Sequence, residues 1–182
     1  MTARPLMILA AATALSTGAV AQAAEIKAPP AAKPVDLAKF YSGTWIEIGR
    51  HPMKLTDGCV AGTTSYKIVT PTKIDVVDTC RDKTPSGKLK SLGGPGVIED
   101  PGTNTKLKVR YKVIGLTVAT WDYWVLDHDD DYTWFISANP AFTNLWIYTR
   151  DPHVDPALLK TLVGKAKALG YPVDQLEFPA QP

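Results

Sequence analysis

The middle of the chain alternates between apolar and polar positions. In Lys106-Leu107-Lys108-Val109-Arg110-Tyr111 every second residue is apolar, so Leu107, Val109 and Tyr111 share one face and the basic residues take the other. Short runs rich in β-branched and aromatic residues predict strands over 44–50, 60–69, 74–80, 96–100, 107–114, 122–127, 132–138 and 145–150. Turn-forming residues separate several of them, among them Thr70-Pro71-Thr72, Pro101-Gly102-Thr103-Asn104 and Asn139-Pro140-Ala141. Trp134-Phe135-Ile136 is apolar without a break, which predicts a strand covered on both faces. Eight consecutive short strands imply an all-β antiparallel barrel or sandwich.

The period changes near the end of the chain. Leu158, Leu159, Leu162, Val163, Ala166 and Leu169 form one apolar stripe at helical spacing. Asp155 is a good N-cap, Pro156 suits the first helical position and Gly170 is the stop. A single helix packed outside the sheet is the expectation.

The N-terminus follows different rules. Arg4 precedes an apolar core from Leu6 to Leu15, and Ala21-Gln22-Ala23 supplies the small residues of a signal-peptidase site. A membrane-spanning helix needs about 20 apolar residues, and Ser16-Thr17-Gly18 interrupts this run. Residues 1–23 are therefore expected to be a signal peptide. Residues 24–34, rich in Ala and Pro, read as a flexible lead-in with little to bury. The barrel domain with its helix is expected over 35–182. No Cys lies near the cut, so no lipid anchor through Cys is expected. An exported chain also gives Cys59 and Cys80 an oxidising compartment, which predicts a disulfide contributing roughly 3 kcal/mol on the chain-entropy model.

Composition narrows the function classes. The 182 residues carry 20 Lys+Arg against 18 Asp+Glu, too balanced for an electrostatic nucleic-acid binder. Three His and two Cys make a structural zinc site hard to build. Asp127-His128-Asp129-Asp130-Asp131 lacks the Gly and the distant Glu of a calcium loop and reads as a hairpin turn. His51, His128 and His153 have no Ser or Cys nucleophile at a recognisable spacing. Gly93-Gly94-Pro95-Gly96 lacks the Lys-Ser/Thr of a phosphate loop and reads as a flexible loop. No cofactor and no metal are implied.

Three motifs then fall in order. Gly43-Thr44-Trp45, with Glu47 after it, opens the first strand; Asp122-Tyr123-Trp124-Val125-Leu126-Asp127 is the sixth; Thr149-Arg150 ends the eighth just before the helix. Together with Val35 to Ile48 and Ala166 to Tyr171, this pattern resembles the lipocalin family, and within it the bacterial lipocalin branch. The resemblance covers about 35–178. It implies an eight-stranded up-and-down β-barrel entered through a short 3₁₀ turn. In it Gly43, Trp45 and Arg150 form a structural signature at the closed end, the guanidinium lying across the indole. Ile46, where bacterial members often have Tyr, and the Gly/Pro-rich Pro95-Gly96-Val97 depart from the pattern; the latter predicts a short or kinked fourth strand.

The resemblance also implies a function. The barrel would be a cup that binds, transports or stores one small hydrophobic or amphipathic ligand, of fatty acid or lysophospholipid class, without catalysis. A role in envelope maintenance or stress follows from the same likeness. Residence is expected in the periplasm, with secretion beyond the cell as the other destination. Taking Leu107, Val109 and Tyr111 as inward, the family pattern makes Tyr66, Val76, Val109, Tyr111, Tyr123, Val125, Trp134, Ile136, Trp146 and Tyr148 the ligand-binding wall, with Thr64, Ile74 and Ala138 also inward. Trp124 turns out toward the helix and Asp78 faces in near one end. No Lys or Arg is expected deep in the cup, so the tyrosine hydroxyls would hold a headgroup. The alternative is a lipocalin-fold enzyme of isomerase type, which needs a titratable group with a shifted pKa in the cup; Asp78, Glu47 or a tyrosine would be the candidates.

Overall fold

The structure, a computed structural model, describes residues 27–182. The expected signal peptide over 1–23 lies outside the described residues. A one-turn α-helix, α1 (Leu37–Phe40), leads into β1 (Gly43–Arg50), β2 (Cys59–Thr70), β3 (Lys73–Asp82), β4 (Leu89–Ile98), β5 (Lys106–Val113), β6 (Leu116–His128), β7 (Trp134–Ala138) and β8 (Leu145–Thr149). Each strand pairs antiparallel with the next, and β8 returns to β1 to close the barrel. Helix α2 (Pro156–Ala168) follows. Asp155 caps it by accepting from the Ala157 amide, and Pro156 occupies its first turn. The segment before β1 is thus one α-helical turn, capped by Asp36, and not the 3₁₀ turn expected.

Two strands are longer than the sequence pattern suggests. β6 begins at Leu116 and not at 122, a start the pattern does not show because the stretch from Leu116 to Trp121 alternates too weakly to stand out from a loop. β4 begins at Leu89 and absorbs the glycines that read as a flexible loop. Those glycines are there for close packing. A Cβ on Gly94 would sit 2.0 Å from the Arg110 carbonyl oxygen, and one on Gly93 2.7 Å from that of Val76.

The lead-in also departs from expectation over 27–34. The Ala28 amide donates to the Pro140 carbonyl and the Ala32 amide to that of Leu126. Ala28 is buried in the outer core. Bonds to the barrel wall hold a segment whose own side chains offer little apolar surface.

Alternation divides the core into two clusters. Inside the barrel lie Phe40, Tyr41, Trp45, Val76, Val109, Tyr111, Val125, Phe135, Trp146 and Tyr148, with Tyr66, Trp121 and Tyr123 packed against them. Outside, under α2, lie Leu126, Trp134, Ile136, Ala138, Leu145, Ile147, Leu162 and Ala166, joined by Trp124. Trp134, Ile136 and Ala138 therefore face the helix, not the cup as expected; Phe135 and Ser137 face inward instead. The cause is local. The β6–β7 pairing slips between Val125 and Asp127, and all five residues of β7 are buried, so the strand has no polar side from which to read its phase.

Candidate functional site

The barrel interior has a filled half and an open half. At the α1 end Trp45 is fully buried, and its indole Nε1–H donates to the Phe40 carbonyl at 3.0 Å. The Arg150 guanidinium lies 3.5 Å from the centre of that ring. It also donates to the carbonyls of Thr44, Lys39 and Phe40. Phe40, Tyr41, Tyr66 and Phe135 pack above this seal, ring against ring at 4.7–6.1 Å. The space left among them is about 10 Å³, room for about one water. Tyr66, Val76, Val109 and Val125 line that closed region. They are wall, but of the part that is already full.

The open half is a cavity of about 260 Å³ at the other end. Tyr111 from β5, Trp121 and Tyr123 from β6, and Trp146 and Tyr148 from β8 form its aromatic side. Tyr123 and Trp146 pack at 5.1 Å, and Trp121 meets Trp146 edge-on at 6.3 Å. Of the ten expected binding residues, Tyr111, Tyr123, Trp146 and Tyr148 border this cavity; Trp121, Met53 and Leu92 join them unexpectedly. Trp121 lies within β6 but one residue before the sixth strand that the sequence pattern predicts. The disulfide between Cys59 and Cys80 joins β2 to β3 in the wall of the mouth.

Polar groups gather where the two halves meet. Asp78 on β3 lies deep in the barrel yet keeps part of its surface open to the cavity. Thr64 donates to its Oδ1 at 2.7 Å, and the Tyr111 hydroxyl donates to its Oδ2. The Tyr111 and Tyr123 hydroxyls are 2.9 Å apart. Since Tyr111 has given its one proton to Asp78, Tyr123 is the donor between them. Burial pushes the Asp78 carboxyl up, and the two hydroxyls pull it partly back. Burial likewise raises Tyr111, Tyr123 and Tyr148, so all three remain protonated donors near neutral pH.

Nearer the mouth stands an ion pair that the sequence did not reveal. Arg50 is buried and donates from Nη1 to Glu47 Oε1 and from Nε to Glu177 Oε1, each at 2.6 Å. Its Nη2 donates to the carbonyls of Thr56 and Cys59. Alternation counted from Trp45 would turn Arg50 outward. A register slip between Glu47 and Gly49 turns it in, near the mouth and not deep in the cup. Gly62 opposite makes room, since a Cβ there would lie 3.0 Å from Glu47 Oε1. Burial raises the Glu47 carboxyl, opposed by Arg50.

The histidines lie elsewhere. His128 stacks on Tyr132 at 4.7 Å, with its ring nitrogens at the carbonyls of Asp129 and Pro34. His51 bonds the Tyr171 hydroxyl, and His153 is exposed. Asp129 accepts from the amides of Thr133 and Trp134, closing the acidic hairpin as a turn. Among the described residues, no three His, Cys, Asp or Glu converge as metal ligands would.

This geometry has known counterparts. The chain matches the family model of the lipocalin-like domain over residues 35–181. Temperature-induced lipocalin-1 of Arabidopsis thaliana is 29% identical over 140 residues, covering 75% of this chain and 74% of the relative. The outer membrane lipoprotein Blc of Vibrio cholerae is 23% identical over 155 residues, covering 84% and 88%. Insecticyanin from the tobacco hornworm Manduca sexta superposes with a TM-score of 0.67 at 17% identity, covering 84% of each chain.

Proposed function

The chain belongs to the lipocalin family, whose fold is typical of proteins that bind and transport small hydrophobic ligands, and on that premise we propose that it is a non-catalytic carrier of one compact, single-tailed amphiphile. The observation that carries this reading is the cavity of about 260 Å³, with ring faces on one side and a polar cluster at its base. That volume is just below the roughly 300–1,000 Å³ of sites for drug-sized ligands. It admits one ligand, whose apolar body lies against Trp121 and Trp146 and whose polar end reaches Tyr111 and Asp78. Binding draws on apolar area leaving water, at about 25 cal/mol per Å².

Fatty acids and lysophospholipids are the amphiphiles the family resemblance implies. The filled floor confines any acyl tail to the upper half of the barrel. Residence in a cell envelope is part of the proposal, supported by the leader-like first 23 residues and by similarity to a protein named as an outer membrane lipoprotein.

Native mass spectrometry on protein purified from its own cell envelope tests the reading. The expected result is a discrete added mass of amphiphile size, and one-to-one saturation when the stripped protein is titrated with fatty acid, lysophospholipid or 1-octanol. A protein that stays apo with all three overturns it. The competing reading, an isomerase-type enzyme, draws on one observation: a buried carboxyl with a raised pKa beside Tyr111 in the cavity. It requires that the extracted ligand come back chemically altered after incubation, whereas a carrier returns it unchanged.

A further inference from the structure

We propose that the polar end held at the base of the cup is cationic, an amine or ammonium group with Asp78 as its counter-ion. This rests on the carrier reading and narrows it. Three features of the cavity carry it.

First, the hydrogen-bond capacity at the base is lopsided. The hydroxyl protons of the chain that ends on the carboxylate are spent: Thr64 and Tyr111 give theirs to Asp78, and Tyr123 gives its own to Tyr111, which leaves Tyr148 as the tyrosine of the cavity outside that chain. A carboxylate offers about four acceptor positions, and these bonds fill two. A ligand arriving here meets unused acceptors and no free hydroxyl donor in that chain. An ammonium carries three donors and no acceptor, so it fits. A fatty acid carboxylate has only acceptors to offer.

Second, the charge is lopsided. Arg50 is held by two acids, Glu47 and Glu177. Lys90 borders the cavity, but its ammonium sits 2.6 Å from Asp82. Asp78, among the described residues, has no ion pair. The unmatched charge facing the cavity is therefore negative, and a second anion would be repelled in a poorly solvated site.

Third, the cavity that Asp78 faces is walled with aromatic rings. Tyr111, Tyr123, Trp146, Tyr148 and Trp121 all line it. Aromatic faces attract organic cations, and more strongly where water is excluded. An apolar tail against the indoles and a cation over the tyrosines at Asp78 use the whole lining at once.

The test compares three probes of equal tail at neutral pH: n-octylammonium, 1-octanol and n-octanoate. Binding is followed by the fluorescence of the cavity tryptophans and by calorimetry. The expected order is octylammonium at least about tenfold tighter than octanol, a difference of about 1.4 kcal/mol, with octanoate weakest. In Asp78→Asn the octylammonium advantage over octanol should disappear. Octanoate binding as tightly as octylammonium, or an amine preference that survives in Asp78→Asn, overturns the inference. Octanol binding with no amine preference removes the inference and leaves the carrier reading standing. If none of the three binds the wild-type protein, the carrier reading falls and the inference with it.

Discussion

The two halves of the barrel interior are built from similar residues and do opposite things. The lower half stacks Phe40, Tyr41, Trp45, Tyr66 and Phe135 until about 10 Å³ remains. The upper half holds Tyr111, Trp121, Tyr123, Trp146 and Tyr148 around about 260 Å³. Aromatic content does not separate them. What separates them is what lies across the barrel. Below, α1 inserts Phe40 and Tyr41 and provides the carbonyls that Trp45 and Arg150 bind. Above, the facing wall includes Gly62, Thr63, Thr64 and Ser91, whose side chains are short, and Asp78, which meets the rings only at the Tyr111 hydroxyl.

The largest contrast comes from cutting one indole in each half. Trp45→Ala removes a fully buried ring and the partner of Arg150, and should cost about 3–5 kcal/mol of unfolding free energy. Trp121→Ala removes a ring that is only partly buried beside the cavity, and should cost clearly less. The binding order should be reversed: Trp121→Ala weakens octanol and octylammonium binding, while folded Trp45→Ala still binds them. Denaturant unfolding beside fluorescence titration reads both. Equal stability losses would mean that the upper half is packed as the floor is, and the division between the halves would fail.

That division was only partly visible in the sequence. Strand count, the outer helix and the Trp45–Arg150 seal were legible because each depends on local pattern or a short motif. Inward and outward faces were legible on β5, where Lys106 to Tyr111 alternates cleanly, and on β8. They were illegible on β7, where five buried residues offer no polar contrast and the β6–β7 slip resets the phase. Cup depth was invisible for another reason. Tyr66 and Tyr111 both point inward, and nothing in their own strands says that α1 will fill the space beside only one of them. Arg50 was hidden by a single bulge at Gly49.

The Arg50 network is the next place to probe the comparison, because it is a buried charge system in the half that is otherwise loosely filled. Arg50→Met leaves Glu47 buried without its partner and should destabilise the protein by about 3–5 kcal/mol. Adding Glu47→Leu should recover much of that loss, since an apolar pair of similar volume needs no compensation. A double variant as unstable as the single one would show that Arg50 acts through the carbonyls of Thr56 and Cys59, and not mainly through Glu47.

The smallest effect isolates Asp78 itself. In the unfolded chain an aspartate titrates near 4; in the fold, burial raises Asp78 above that. Between those two values the native state binds more protons than the unfolded one, so this group's contribution to stability falls as pH rises through the window. Glu47, also raised, acts in the same sense. Asp82, Asp100 and Asp130 are held below the ordinary range and act in the opposite one, losing their contribution as pH falls. Only the difference between the wild type and Asp78→Asn cancels these others. That difference should move in favour of Asp78→Asn as pH is raised from about 4 to about 7, measured by urea unfolding at each pH. A flat difference would mean that the carboxylate ionises in the fold at no cost, as it would in a cup open to bulk water. Saturating octylammonium should flatten the slope in the wild type, because a bound cation supplies the charge partner that burial withholds from the empty cup.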